Sequence, residues 1–313
     1  MKTNFILGTY KNGNYQVTML HDGTKIRRTD DDEFIPEFPE NADVKITDKC
    51  SQGCPFCYEG CTRNGKHAEL IDKDGNFAQH WMNTLHPHTE LAINGNDLDH
   101  PDIEKFLIKM KENHIIVNIT VNQNQFMKNL STIRYFVNEN LVYGIGVSLV
   151  KANDELFDAL KEFPNAVIHT IAGILKEPTI KLLEKNHVKV LILGYKNLGR
   201  GIDFKKAFSK DIEDAMQILR LELPNMTQTC KVVSFDNLAI EQLGVKELLF
   251  KDKEDEWNEF YMGDDGNFTL YIDAVNKKFA KNSCMPINER FPIGNKTMIE
   301  MFNFIRDRYG INR

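Results

Sequence analysis

Short apolar runs alternate with amphipathic segments through the middle of the chain, and this alternation constrains the fold more than any other feature. The predicted strands cover residues 44–47, 91–93, 115–121, 144–149, 166–171 and 188–193. The predicted helices between them cover residues 76–85, 101–113, 128–138, 153–163 and 178–186. Strands that alternate with helices form right-handed βαβ units around a parallel sheet. The pattern therefore predicts an α/β fold with a partial, TIM-like (β/α)6 barrel.

The two flanks of this region have different patterns. Asn12-Gly13 and Asp22-Gly23 mark two tight hairpin turns, and an acidic, proline-containing stretch follows them. The last third predicts a helix at 203–221, a strand at 229–235, a helix at 237–243, a hairpin at 268–272 and 277–280, and a helix at 296–308. We therefore divide the chain into an N-terminal β-meander with an acidic linker (1–40), a barrel core (41–225) and a C-terminal α+β cap (226–313).

Charge and hydropathy narrow the class of partner. The chain has 39 Lys and Arg against 45 Asp and Glu, a net charge of −6, which disfavours a nucleic-acid partner. Its most apolar stretch, residues 141–150, is too short to span a bilayer, and residues 1–7 lack the apolar core of a secretory signal. We expect a cytoplasmic protein with no membrane partner.

Four of the six cysteines fall within twelve residues: Cys50, Cys54, Cys57 and Cys61. Such clustering in a cytosolic chain favours metal ligation over disulfides. The spacing Cys-x3-Cys-x2-Cys of the first three follows the first predicted parallel strand directly. Three thiolates can hold three corners of a cubic iron–sulfur cluster and leave the fourth iron open, as a catalytic metal site requires. With Cys61 as a fourth ligand, a closed zinc site or an electron-transfer cluster is the non-enzymatic alternative.

Residues 46–59 resemble the cysteine loop of the radical S-adenosylmethionine (SAM) superfamily, including the aromatic Phe56 before the third cysteine. The resemblance implies that Cys50, Cys54 and Cys57 hold a [4Fe–4S] cluster whose open iron chelates the amino and carboxylate groups of SAM. It further implies an oxygen-sensitive enzyme that takes electrons from a reductant such as flavodoxin or ferredoxin. Reductive cleavage of SAM would then give a 5′-deoxyadenosyl radical that abstracts a hydrogen atom from the substrate.

The same resemblance implies further SAM contacts at the ends of later strands. The family carries Gly-Gly-Glu-Pro after its second strand, where this chain has Asn94, Gly95, Asn96 and Asp97. We expect these residues to hold the SAM amino group through amide or main-chain oxygens, and the alternative is a plain loop in which Asp99 caps a helix.

Three more residues complete the expected SAM site, together with Phe56. Ser148 ends the fourth strand, where the family contacts the SAM carboxylate or ribose, and Gly194 and Tyr195 end the sixth, where main chain approaches the adenine. Lys196 and Arg200 follow, and they are candidates to hold an anionic substrate group or the SAM carboxylate; a surface loop is the alternative.

The substrate and the outcome of the reaction stay open. In radical epimerases of the superfamily a cysteine returns a hydrogen atom to the substrate radical, which makes Cys230 a candidate donor; a small buried hydrophobe is the alternative. A peptide or protein substrate is our first hypothesis, because an exposed edge of the β-meander could pair with an extended strand. A small molecule or nucleotide is the second, favoured by the absence of a cysteine-rich C-terminal domain.

Overall fold

The computed structural model describes residues 6–94 and 97–311. Its strands are β1 (Ile6–Asn12), β2 (Tyr15–Leu20), β3 (Lys25–Arg28), β4 (Asn41–Lys45), β5 (Glu90–Asn94), β6 (Ile116–Asn122), β7 (Gly144–Ser148), β8 (Ala166–Ile171), β9 (Lys189–Leu193), β10 (Val232–Phe235), β11 (Thr269–Asp273), β12 (Lys278–Ala280) and β13 (Phe291–Pro292). Its α-helices are α1 (Ile103–Glu112), α2 (Gln123–Lys128), α3 (Leu130–Asn138), α4 (Asp154–Leu160), α5 (Glu177–Lys185), α6 (Arg200–Thr229), α7 (Asn237–Leu243), α8 (Val245–Leu249), α9 (Glu254–Phe260) and α10 (Met298–Tyr309). Two short 3-10 helices cover His80–Thr84 and Asp97–Asp99.

One ten-stranded sheet forms the body of the protein, in the order β10-β9-β8-β7-β6-β5-β4-β11-β12-β13. Every neighbouring pair from β10 through to β11 is parallel, and β12 and β13 continue the sheet antiparallel. The sheet curves around a central space without closing, because its edge strands β10 and β13 are not paired with each other. The six predicted strands are β4 to β9, and the predicted α/β class with a partial TIM-like barrel is confirmed.

The period of two along the strands separates an outer apolar face from an inner polar one. On β5, Leu91 and Ile93 are fully buried in the core cluster, while Ala92 and Asn94 face the central space. The covering helices meet the outer face with apolar stripes such as Phe106, Leu107 and Met110 of α1. This division buries the hydrophobic core between sheet and helices and leaves polar groups inside the barrel.

The C-terminal region contributes strands to the same sheet, which local patterning did not indicate. The predicted strand at 229–235 became β10, paired with β9, and the first strand of the predicted hairpin became β11, paired in parallel with β4. The predicted helix at 203–221 is longer, and α6 bends at Phe208, whose φ of −130° is not helical. The predicted helix at 76–85 is reduced to a 3-10 turn, since Asn76 donates its N–H to Asp72 Oδ1 within a preceding turn.

The three-stranded meander β1-β2-β3 packs against the end of the barrel where the parallel strands begin. Arg27 Nε donates to Glu40 Oε1 at 2.7 Å, and Lys25 Nζ lies 2.9 Å from Glu90 Oε2, so the meander is ion-paired to the starts of β4 and β5. A satellite core of six buried residues covers the rest of this contact: Tyr10, Tyr15, Val17, Met19, Phe38 and Ile116. The meander therefore caps the amino-terminal end of the barrel.

Within the described residues, no helix is both long enough and apolar enough to span a bilayer.

Candidate functional site

The cysteine loop begins where β4 ends, at the carboxyl-terminal end of the barrel and opposite the meander. Its two arms are joined by bridges between Thr47 and His67 and between Lys49 and Thr62. Inside this ribbon, the backbone N–H of Cys50 donates to the Thr62 carbonyl at 2.8 Å. Gly53 has a φ of 64°, a left-handed conformation that lets the chain turn tightly between the first two cysteines. The loop therefore has a defined path that brings three cysteines to one end of the barrel.

The thiols of this loop influence one another electrostatically. Burial raises the pKa of Cys54, and the neighbouring thiolates of Cys57 and Cys50 raise it further. A hydrogen bond from the Cys61 thiol lowers the pKa of Cys57, and the same contact raises that of Cys61. Cys61 itself is buried, with 8% of its surface exposed. The Cys57 and Cys61 thiols are thus hydrogen-bonded to each other, and Cys50 and Cys54 lie on the same short loop.

Sulfur chemistry makes this set suitable for iron, because soft thiolates are the ligands of iron–sulfur clusters. In residues 6–94 and 97–311, no group of three His, Cys, Asp or Glu side chains is already arranged as a metal site. The donor set and its position after a parallel strand nevertheless fit a cluster held by Cys50, Cys54 and Cys57. Cys61 is an additional thiol in contact with one of them.

Arg200, the first residue of α6, lies against the cysteine loop. Its Nε donates to the Cys54 carbonyl at 2.9 Å, its Nη1 donates to the Cys61 carbonyl at 2.8 Å, and its backbone N–H donates to the Cys57 carbonyl at 3.0 Å. The prediction that Arg200 holds a SAM carboxylate or a substrate anion is not supported by this geometry, because two of its guanidinium nitrogens already bind the loop. The charge of Arg200 is evident from the sequence, but the carbonyls that accept its hydrogen bonds are brought to it only by the fold.

Glu59, two residues after Cys57, belongs to a buried network of charges. Its Oε2 lies 2.7 Å from Lys45 Nζ, and its Oε1 accepts from the Tyr271 hydroxyl at 2.8 Å and from Arg290 Nη2 at 3.4 Å. Arg290 Nη1 also donates to the fully buried Asp273 at 2.8 Å. The network joins the cysteine loop to β4, β11 and the chain that follows them. No local motif predicted it, since Arg290 and Glu59 are 231 residues apart.

A cavity of about 470 Å³ occupies the inside of the barrel. The inward faces of β4 to β10 and the chain around residues 282–284 line it. Gly144 and Gly146 keep the β7 side open: a Cβ on Gly146 would lie 2.2 Å from Cε1 of His169 on the neighbouring strand. The volume is in the range of small-molecule sites, which measure about 300–1,000 Å³.

The walls of this cavity carry several titratable groups. Burial raises the pKa of Asp43 to about 6, against the opposing effect of Lys196, and burial lowers the pKa of His169 to about 4. Burial also raises the pKa of Asp236. Burial alone would lower the pKa of Lys196. Nearby groups, chiefly Tyr58 and Asp236, outweigh this effect and raise the pKa above its ordinary value. Perturbed groups gathered in one cavity are typical of functional sites.

A second, small cavity of about 30 Å³ lies between the cysteine loop and the end of β9. Phe56, Gly194 and Tyr195 line it, together with Tyr58 and Lys196. The structure thus brings together three residues expected at SAM, although they come from two distant parts of the sequence. Lys196 Nζ donates to Ser283 Oγ at 2.8 Å and lies 4.3 Å from the centre of the Tyr58 ring. Lys196 therefore stands at the junction of the two cavities.

The remaining residues expected at SAM fall at strand ends. Asn94 ends β5 and lines the main cavity, and Ser148 ends β7 on the same face as Gly144 and Gly146. Gly95 and Asn96 lie outside the described residues, and Asp97 begins the 3-10 helix that follows them. The contacts of these residues with SAM stay predictions.

The two cysteines outside the loop have different surroundings. Cys230 belongs to the hydrophobic core, 7% exposed, and burial followed by the Glu184 charge raises its pKa to about 11. It is not among the residues that line the main cavity, whereas Cys284 is. The geometry therefore supports the structural interpretation of Cys230 rather than the proposed hydrogen donor. Cys284 carried no local motif, and only the tertiary fold reveals its position.

Comparison with solved structures identifies this fold. The crystal structure of Streptococcus suis SuiB bound to the precursor peptide SuiA matches with a TM-score of 0.57 and 15% identity, over 86% of this chain and 65% of that one. SuiB bound to S-adenosylmethionine matches with a TM-score of 0.54 and 14% identity, over 87% and 68% of the two chains. The structure of anSMEcpe with bound AdoMet matches with a TM-score of 0.53 and 14% identity, over 87% of this chain and 79% of that one.

This chain shares its fold with these structures, two of which were solved with S-adenosylmethionine or AdoMet bound, and the shared fold agrees with the partial barrel that the sequence predicted. The chain spans just under two thirds of the peptide-bound SuiB chain. No family model matches the chain, and neither does any curated protein.

Proposed function

We propose that this protein is a radical SAM enzyme whose [4Fe–4S] cluster is held by Cys50, Cys54 and Cys57. The observation that carries the proposal is the position of the three cysteines: one loop at the carboxyl-terminal end of β4, beside the opening of an internal cavity. Active sites of parallel barrels are built at this end of the strands. With SAM bound, the cluster would supply a 5′-deoxyadenosyl radical by reductive cleavage of the sulfonium.

The chain's own residues would then bind SAM and shield it from water. We assign Phe56, Gly194 and Tyr195 to the adenine side, since they surround one small cavity beside the cysteine loop. Asn94 and its neighbours Gly95, Asn96 and Asp97 are assigned to the amino group, and Ser148 to the carboxylate or ribose. The main cavity would receive the part of the substrate that loses a hydrogen atom. Residues 282–284 line one side of this cavity and would help to shield the reacting atoms from bulk solvent.

For the substrate we propose a peptide or protein. The proposal is supported by the fold shared with SuiB, which was solved with a precursor peptide bound. The meander offers β1 and β3 as edge strands for pairing with an extended chain. Because the meander caps the amino-terminal end of the barrel, a peptide held there must run along the barrel to reach the cavity. A small molecule is the second candidate. It is favoured because the meander covers the amino-terminal end of the barrel, so that the internal cavity of about 470 Å³ is enclosed at that end.

The enzyme would need an electron donor, for which we propose a flavodoxin or ferredoxin, and a reducing compartment, for which we propose the cytoplasm.

Anaerobic reconstitution with iron and sulfide, followed by dithionite and SAM, tests the proposed activity. The wild type should form 5′-deoxyadenosine, and Cys54→Ala should not, while Cys230→Ala serves as a matched thiol control that keeps the activity. Bound zinc with no SAM cleavage would contradict the proposal.

Hydrogen exchange separates the two substrate classes. A peptide substrate should protect amides of β1 to β3, whereas a small molecule should protect only residues around the main cavity. Protection confined to the cavity with every peptide tried would overturn the peptide assignment.

A further inference from the structure

The cysteine loop and the start of α6 are in unusually close backbone contact. Gly199 has a φ of 52°, and a Cβ there would lie 2.4 Å from the Tyr58 carbonyl and 2.8 Å from that of Cys57. A Cβ on Gly201 would lie 2.6 Å from the Lys196 carbonyl. Gly199 thus allows the backbone of the cysteine loop and the start of the helix to touch, and Gly201 allows the first turn of the helix to pack on the Lys196 carbonyl. This approach explains the local sequence Gly-Arg-Gly better than any phosphate-binding motif does.

Arg200 converts this approach into a specific attachment. Its side chain joins the carbonyls of Cys54 and Cys61, and its backbone N–H takes the carbonyl of Cys57. Residues 54–61 carry two of the three proposed cluster cysteines. Arg200 donates hydrogen bonds to a carbonyl at each end of this segment and to one in its middle. A guanidinium presents several N–H groups in a rigid plane, whereas the Lys ammonium is a single point of charge.

The charge of Arg200 also acts on the cysteines. The guanidinium contacts carbonyls of the residues that carry the thiols, so its positive charge lies beside any thiolates formed there. Hydrogen bonds and cations near the sulfurs of an iron–sulfur cluster are among the factors that set its reduction potential. A single residue would in this way influence both the shape of the loop and the charge balance of the cluster.

We propose that Arg200 is a positioning residue, which fixes the cysteine loop for cluster assembly and raises the reduction potential of the bound cluster. This inference rests on the proposed cluster at Cys50, Cys54 and Cys57. It assigns Arg200 to the loop and leaves Lys196 as the cation that faces the cavities.

The first test needs no cluster. Hydrogen exchange of the metal-free protein, followed by mass spectrometry, reports on the hydrogen-bonded amides of Cys57 and Gly60. Loss of two charge-assisted hydrogen bonds should speed exchange across this segment by about ten- to a hundredfold in Arg200→Ala. Arg200→Lys should also exchange faster than wild type, because one ammonium cannot bridge both carbonyls. The matched control is Lys205→Ala, which removes an exposed positive charge from the same helix.

The second test uses the reconstituted protein. Arg200→Ala should retain less iron than wild type and show a more negative midpoint potential. Arg200→Lys keeps the charge and should keep a potential close to wild type, and added methylguanidinium should partly restore the potential of Arg200→Ala.

The inference would be overturned if Arg200→Ala matched Lys205→Ala both in the rate of amide hydrogen exchange of the loop and in the midpoint potential of the cluster. If the wild type assembles no cluster, the proposed function fails, and faster loop exchange in Arg200→Ala alone would still support the positioning of the loop. Circular dichroism of each variant shows whether the barrel has remained folded.

Discussion

The buried network around Glu59 predicts that one neutralising substitution will strongly destabilise the fold. Glu59→Gln removes a charge that lies 2.7 Å from Lys45 Nζ and 3.4 Å from Arg290 Nη2, in a network whose side chains other than Asp48 are at most 9% exposed. At an effective dielectric constant of about 20, attraction over such a distance amounts to roughly 6 kcal/mol before desolvation is counted. Breaking a buried ion pair from one side costs about 3–5 kcal/mol, because its partner stays buried without compensation.

Urea unfolding followed by circular dichroism measures this loss. With a slope of about 3 kcal/mol per molar urea, the midpoint should fall by roughly 1–1.7 M. Glu162→Gln is the matched control, because Glu162 pairs with Arg134 on the surface with side chains 48% and 47% exposed. A surface pair contributes about 0–1 kcal/mol, so its midpoint should move little. Equal midpoints for the two variants would refute the reasoning that the network anchors the cysteine loop to the barrel.

Three further predictions address the loop, the cavity and the core. Gly199→Ala should lower iron retention and stability, because its Cβ would meet the Tyr58 carbonyl; iron analysis and thermal unfolding measure both, and wild-type values would contradict the close approach. His169 has a pKa lowered by burial from 6.5 to about 4, so its contribution to stability is complete above pH 6.5 and is lost as the pH falls toward 4. Urea unfolding at several pH values should show this loss, of about 3 kcal/mol, in the wild type and not in His169→Gln. Cys230→Ala should lower the free energy of unfolding by about 1 kcal/mol and leave the yield of the substrate-derived product unchanged. Loss of that product while 5′-deoxyadenosine still forms would support the hydrogen-donor hypothesis.

The barrel strands were predictable because each is a local apolar run bounded by turns, and β4 to β9 lie within a few residues of their predicted positions. Helices α1 and α5 were predictable for the same reason, since their apolar stripes have the helical period. The cysteine loop was recognisable because its three cysteines are close in sequence.

The rest depends on contacts between distant segments. Strand β11 pairs with β4, although the paired residues are more than 220 positions apart in the sequence. Nothing in the hairpin itself indicates this partner strand. The partners of Arg200 were not predictable for the same reason, because they are backbone carbonyls, which every residue has and no motif marks. Cys284 reaches the cavity only through the path of the chain after β12.

The central claim is that three thiolates leave one iron open for SAM. Electron–nuclear double resonance on the reduced, reconstituted protein, with SAM labelled with ¹⁵N in its amino group and ¹⁷O in its carboxylate, tests this claim directly. We predict hyperfine coupling of both labels to the cluster, and no such coupling when the labelled SAM is mixed with Cys54→Ala. A reduced cluster that binds SAM without coupling to either label would contradict it.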